Sequence, residues 1–201
     1  READPIAHLY LSAGFNTFIL RYSVYRTCGA KWPAPLIDAS AAMKYIRDNA
    51  EALNIDPDYV FVIGFSAGGH LASTFATHYP AELRPAFQIL VYPVISMDET
   101  ITHSGSRENL IGKNPSKALI DYYSNEKHVN AESPRAFIAL SDDDRAVPVE
   151  NSLRYYKALH RYQIPVSLHI YPTGGHGWGY NESFRFKKAV HDELSDWLRS
   201  F

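Results

Sequence analysis

Serine, aspartate and histidine occur in this chain in an order and in settings that suit acyl transfer. The serine lies in Gly64-Phe65-Ser66-Ala67-Gly68, between the apolar run Tyr59-Val60-Phe61-Val62-Ile63 and a helix-like stretch from Gly69 to His78. A G-x-S-x-G turn from strand to helix lifts its serine clear of the sheet, and its glycines let backbone pass close by without Cβ clashes. Ser66 is the candidate nucleophile. The acids lie in Ser141-Asp142-Asp143-Asp144-Arg145-Ala146-Val147-Pro148, directly after the apolar run Ala136-Phe137-Ile138-Ala139-Leu140. The histidine lies in Pro172-Thr173-Gly174-Gly175-His176-Gly177, directly after Val166-Ser167-Leu168-His169-Ile170-Tyr171. Each group leaves the C-terminal end of a predicted strand, in the order nucleophile, acid, histidine. His176 is the candidate base.

A serine hydroxyl is a poor nucleophile until a neighbouring base takes its proton, and an imidazole can do so and later protonate the leaving group. A buried carboxylate would fix the imidazole tautomer and stabilise the imidazolium. The amide of Ala67 is the expected first donor of an oxyanion hole. The second donor of such sites comes from a loop upstream, often of His-Gly-Gly-Gly type, and no such sequence occurs here. The chain opens at Arg1, and its first predicted strand is Thr17-Phe18-Ile19-Leu20-Arg21-Tyr22. The expectation is an N-terminally truncated domain whose early strands lie outside this sequence, or else a weakly active fragment.

The elements that must position these loops alternate between strand and helix, as in a mainly parallel sheet covered on both faces. Leu36, Ala39, Met43, Ile46, Ala50 and Leu53 recur at helical spacing, with a stop at Asn54. After the elbow comes a strand over Ala86 to Tyr92, ended by Pro93. The interval 96–130 breaks the alternation and reads as a cap-like insertion with a short helix at Ser116 to Tyr123; a surface excursion without a role is the alternative. A helix from Val149 to Tyr162 separates the acid and histidine strands, and a last helix runs from about Glu182 to Leu198. The fold class is α/β, with one domain over 1–201.

Composition narrows the partners. With 201 residues, 46% hydrophobic and 21% charged, the chain can bury one substantial core. A formal charge of -2 with scattered basic residues gives no case for nucleic acid. No apolar stretch is long enough to cross a bilayer, so no membrane partner is expected, and cytoplasmic residence is the default. The single cysteine, Cys28, rules out an internal disulfide and a thiolate zinc site. No cofactor is expected, and a homo-oligomer stays open.

Trp32-Pro33-Ala34-Pro35-Leu36-Ile37-Asp38, Asn54-Ile55-Asp56-Pro57, Gly64-Phe65-Ser66-Ala67-Gly68-Gly69-His70-Leu71-Ala72, Val147-Pro148-Val149-Glu150-Asn151-Ser152-Leu153 and Gly175-His176-Gly177 together resemble the acetyl-xylan-esterase-like, sugar-acetylesterase group of α/β-hydrolases. Feruloyl-esterase and hormone-sensitive-lipase-like enzymes border that group. The resemblance covers nearly the whole chain. It implies an α/β-hydrolase fold and hydrolysis of short acyl esters, such as acetyl groups on sugars or xylo-oligosaccharides, through an acyl-enzyme. In that group a glycine-rich oxyanion motif precedes a segment similar to Arg1-Glu2-Ala3-Asp4-Pro5-Ile6-Ala7. A Gly-x-x-Asp-x-x-Val-Pro pattern, with Ser141 at the glycine position, selects Asp144 as the acid, with Asp143 as the alternative.

Other residues read differently. His70, four residues after Ser66, suits a hydrogen-bonding structural role, and the remaining histidines lack metal-ligand spacing, so no metal is expected. Phe65, Trp32 and Trp178 are candidate substrate-binding residues, against core packing as the commoner fate of aromatics. Two readings stand beside the esterase: a serine peptidase or thioesterase on the same triad, and a non-catalytic binding module.

Overall fold

The computed structural model describes residues 2–79 and 81–200. Four strands, β1 (Val62–Phe65), β2 (Phe87–Val91), β3 (Arg135–Ser141) and β4 (Val166–Tyr171), form one sheet in that order, parallel throughout. Parallel pairing needs long crossovers, and these supply helices to both faces. Helices α1 (Ala3–Ser12), α2 (Tyr25–Cys28), α3 (Ala34–Asp48) and α4 (Ala50–Leu53) precede the sheet. Then come α5 (Ala67–His78) after β1, α6 (Ser104–Ile111) and α7 (Lys117–Tyr122) after β2, α8 (Glu150–Arg161) after β3 and α9 (Lys187–Leu198) after β4. Helix α5 packs on β1 and β2, α8 on β4 and α9 on β3. Every residue of β2 is buried, so its five-residue run is apolar apart from Gln88, whose amide is satisfied by the Pro134 carbonyl and the Tyr155 hydroxyl.

Four expectations need correction. Thr17–Tyr22 is irregular backbone and not a strand. A strand requires a ladder partner; β1 is the edge of the described sheet and this segment does not pair with it, leaving Phe18, Ile19 and Leu20 at 46%, 48% and 40% exposure. The elbow strand starts at Val62, three residues later than expected, because the Asp56 carboxylate accepts from Asp58 N and folds Pro57–Tyr59 into a 3-10 turn. The predicted helix over Leu36–Leu53 is two helices meeting at Asn49, and Asn54 ends the second in a left-handed conformation. The last helix begins at Lys187, not Glu182: the Asn181 side chain accepts from Ser183 N, a local turn that competes with helix, and Phe184 turns into the core.

The interval 96–130 holds α6, α7 and a 3-10 turn at Asn125–Lys127. Its start is pinned by the buried Asn151, whose Oδ1 accepts from Ile95 N and Ser96 N while its Nδ2 donates to the Ile101 carbonyl.

Candidate active site

Ser66 sits between β1 and α5 with φ 51° and ψ -117°, a left-handed backbone that non-glycine residues rarely adopt. The conformation is fixed from both sides. Ser66 N donates to Val91 O at 3.1 Å, and Ser66 O accepts from Val94 N at 3.0 Å and His70 N at 3.2 Å. Two glycines make the turn sterically attainable: a Cβ on Gly64 would lie 2.3 Å from Gly68 O, and one on Gly69 would lie 2.7 Å from Pro93 Cβ. Strand, turn and helix therefore pack closer than side chains permit.

His176 arrives on the loop after β4, and its Nε2 lies 2.8 Å from Ser66 Oγ. Its Nδ1 lies 2.7 Å from Oδ2 of Asp144, on the loop after β3. An ionised carboxylate only accepts, so Nδ1 carries the proton, Nε2 is the free lone pair, and the serine hydroxyl donates to it. The Asp144 side chain is 1% exposed. Burial pushes its carboxyl up, but hydrogen bonds from His176, Val147 N (2.9 Å) and Ala146 N (2.8 Å) outweigh that and hold it below the ordinary carboxylate range. It is a stable anion where an imidazolium would form. Asp143 points elsewhere: its Oδ1 accepts from Gly175 N at 2.7 Å and anchors the histidine loop. Ala67 is the first residue of α5, where backbone N–H groups have no partner within the helix.

The BD-FAE family model matches residues 2–159. The chain belongs to the BD-FAE family. This BD-FAE chain is 42% identical over 170 residues to a protein described as acetylxylan esterase from Xylanibacter ruminicola, covering 83% of the chain and 35% of that protein. It is 36% identical over 188 residues to one described as endo-1,4-beta-xylanase B from Butyrivibrio fibrisolvens, covering 88% of the chain and 29% of that protein. The chain thus spans about a third of the length of these curated relatives. The solved acetyl ester-xyloside bifunctional hydrolase of Caldicellulosiruptor lactoaceticus superposes with a TM-score of 0.94 at 38% identity, covering 98% of this chain and 76% of that one. The fold is that of the α/β-hydrolases.

Two hollows flank the serine and histidine of the BD-FAE chain. One, of about 200 Å³, is lined by Ala67, Leu71, Tyr22, Met97, Leu110 and Tyr123 among others, so the interval 96–130 forms part of its wall. The other, of about 600 Å³, lies along the histidine loop and includes His176, Tyr180, Asn181 and Arg185. The aromatic candidates fare unevenly. Trp178 is 6% exposed, stacks on Phe184 at 4.2 Å and donates Nε1–H to Ser141 Oγ, so most of its ring is packed in the core, while it also lines the hollow along the histidine loop. Trp32 is 47% exposed and does not line the hollow beside Ala67. Phe65 is half-buried against the core, 6.0 Å from the Tyr92 ring. Among the described residues no group of three or more His, Cys, Asp or Glu side chains is gathered to hold a metal, and no helix is long and apolar enough to cross a membrane.

Sequence reasoning gave His70 its hydrogen-bonding structural role but missed the histidine clamp to which it belongs. His70, His78 and His128 face three consecutive carbonyls at the end of α7: Tyr123 O at 2.8 Å, Tyr122 O at 2.7 Å and Asp121 O at 2.9 Å. These are carbonyls at a helix C-terminus and can only accept, so each ring donates its Nε2–H. The eight-residue spacing of His70 and His78 along α5 was the only available signal.

Proposed function

We propose that this chain is a serine carboxylesterase that hydrolyses short acyl esters, acetyl above all, on sugars or xylo-oligosaccharides. The observation that carries this reading is the continuous hydrogen-bond chain from Asp144 through His176 to Ser66 Oγ, with links of 2.7 and 2.8 Å. Ser66 Oγ attacks the ester carbonyl as His176 Nε2 takes its proton, and the N–H of Ala67 donates to the oxyanion that forms. The imidazolium, opposite the buried Asp144 carboxylate, protonates the departing sugar hydroxyl and leaves an acyl-Ser66 ester. Water then attacks this ester by the reverse proton path, releasing the carboxylic acid and restoring the serine. The sugar and acetyl assignments rest on the relatives, whose names include acetylxylan esterase and acetyl ester-xyloside hydrolase.

The test is labelling with a fluorophosphonate serine probe and peptide mapping of the adduct, in this chain and in Ser66→Ala, followed by rates on acetylated xylo-oligosaccharides and aryl acetates. Adduct confined to Ser66 and lost in the variant is the expected outcome. An unlabelled wild-type chain would leave the non-catalytic binding reading in its place.

A further inference from the structure

The turn that follows β2 touches both halves of the proposed proton relay. Val91 pairs in register with Phe65, so Ser66 and Tyr92 are the residues just past the paired ends of neighbouring strands. Both have left-handed backbone, φ 51° at Ser66 and φ 38° at Tyr92. For a tyrosine followed by proline this is a costly conformation, kept only where the surroundings enforce it. Tyr92 N donates to Ala139 O at 2.7 Å, and two residues on, Val94 N holds the Ser66 carbonyl.

The side chain of Tyr92 points at the base. It is 1% exposed, its ring centroid lies 4.8 Å from that of His176, and the Trp178 ring meets it at near right angles, 4.9 Å away. Its hydroxyl accepts from Gly179 N at 2.9 Å, three residues after His176, and donates to Glu2 Oε1 at 3.3 Å. Burial, reinforced by the Glu2 charge, holds this phenol above its ordinary range, so it keeps the proton it donates. The loop 172–179 is rich in glycine, and the Asp143 contact to Gly175 N anchors it only on the N-terminal side of His176. Asp144 fixes one edge of that ring through a single hydrogen bond; Tyr92 supplies the wall behind it and ties down the backbone beyond it.

We propose that Tyr92 is a positioning residue for the ester-hydrolysing relay: its ring sets the tilt of His176 toward Ser66, and its hydroxyl, bridging Gly179 N and Glu2, keeps the histidine loop against that ring. The inference rests on the triad reading given above. Positioning residues act on turnover more than on substrate binding, and a displacement of about 1 Å at a reacting group costs on the order of 10²-fold in rate.

The experiment compares wild type, Tyr92→Phe, Tyr92→Leu and Ser66→Ala in four readouts: kcat and KM on an aryl acetate, the rate of fluorophosphonate labelling, the low-field proton resonance of the His176–Asp144 hydrogen bond, and the melting temperature. Tyr92→Phe keeps the ring and folds with little change of shape, so it carries the test if Tyr92→Leu does not fold. The expected result is kcat and labelling rate down about three- to tenfold in Tyr92→Phe, the worth of one hydrogen bond, and on the order of 10²-fold in Tyr92→Leu, with KM within about twofold. The low-field resonance should broaden in both. A Tyr92→Phe protein with unchanged kcat, labelling and resonance overturns the inference, even if it melts lower, because a merely structural tyrosine would move the melting temperature alone. If Ser66→Ala retains full activity, the triad reading has failed, and that outcome is distinct from an inert Tyr92.

Discussion

Two histidine sites in this molecule use the same imidazole for opposite ends. At His176 the ring proton on Nδ1 faces a carboxylate, so gaining a second proton creates an ion pair with Asp144. In the clamp at the end of α7 each ring proton faces a neutral carbonyl, and the His78 and His128 rings pack on each other at 4.3 Å, so a second proton meets burial and a like charge. Burial lowers His70 to about 4 and also lowers His78. The charge of the partner, more than the geometry of the bond, separates the ring proposed as the base from a bolt that holds two helices together. The clamp joins α7 to α5, the helix that Ser66 opens.

The largest effect should come from erasing that difference at His176. Asp144→Asn replaces the anion with a neutral amide that can donate to Nδ1 and favour the wrong tautomer, and kcat should fall on the order of 10⁴-fold with the fold intact. Asp143→Asn, which keeps an acceptor for Gly175 N, should stay within about threefold of wild type; steady-state rates of the two variants side by side check the assignment.

How much of this contrast could be read before the structure depends on whether a residue acts through chain-local pattern or through contacts made far away. Ser66 and His176, which the structure brings together, could be picked out as candidates because a tight turn and a glycine loop after apolar runs leave marks in adjacent residues. Asp144 was narrowed to a pair, since either member can reach a histidine and only three-dimensional placement turns one carboxylate to His176 and the other to Gly175 N. The parallel sheet flanked by helices followed from alternation of apolar runs and helical spacing, whereas the irregular Thr17–Tyr22 did not, because pairing depends on a neighbour and apolar composition does not supply one. Tyr92 and the partners of the clamp were not legible: they lie 53 residues away for His70, whose hydrogen-bonding role alone could be read, and 87 for the Tyr92 contact to Gly179.

At the clamp the effects should fall on stability. His70→Leu leaves the buried Tyr123 carbonyl without its donor and should cost about 1–3 kcal/mol by denaturant unfolding, with kcat reduced less than about tenfold. The pH dependence has a definite sign. The folded-state value of His70 is depressed below its unfolded value of 6.5, so the unfolded chain binds the proton first and stability is lost as pH falls from 6.5 toward 4. The loss attributable to this one ring reaches up to about 3 kcal/mol at the acid end and is absent in His70→Leu, so the stability advantage of wild type over the variant should shrink across melts taken at pH 7, 5.5 and 4.5. His128→Gln, which can still donate to Asp121 O and relieves the ring pair, should change stability by less than about 1 kcal/mol; a larger loss would mean the packed ring itself is the fastener.

The parallel order β1-β2-β3-β4 has a kinetic consequence. Ser66 and His176 are separated by 110 residues, and Asp144 and His176 by 32, with each side chain delivered by a different strand. Such distant contacts form only after long loops have closed, and chains dominated by them fold slowly. During refolding, helical signal should therefore return ahead of probe labelling at Ser66. Labelling would act as a clock for the docking of β4, the edge strand whose outgoing loop carries His176.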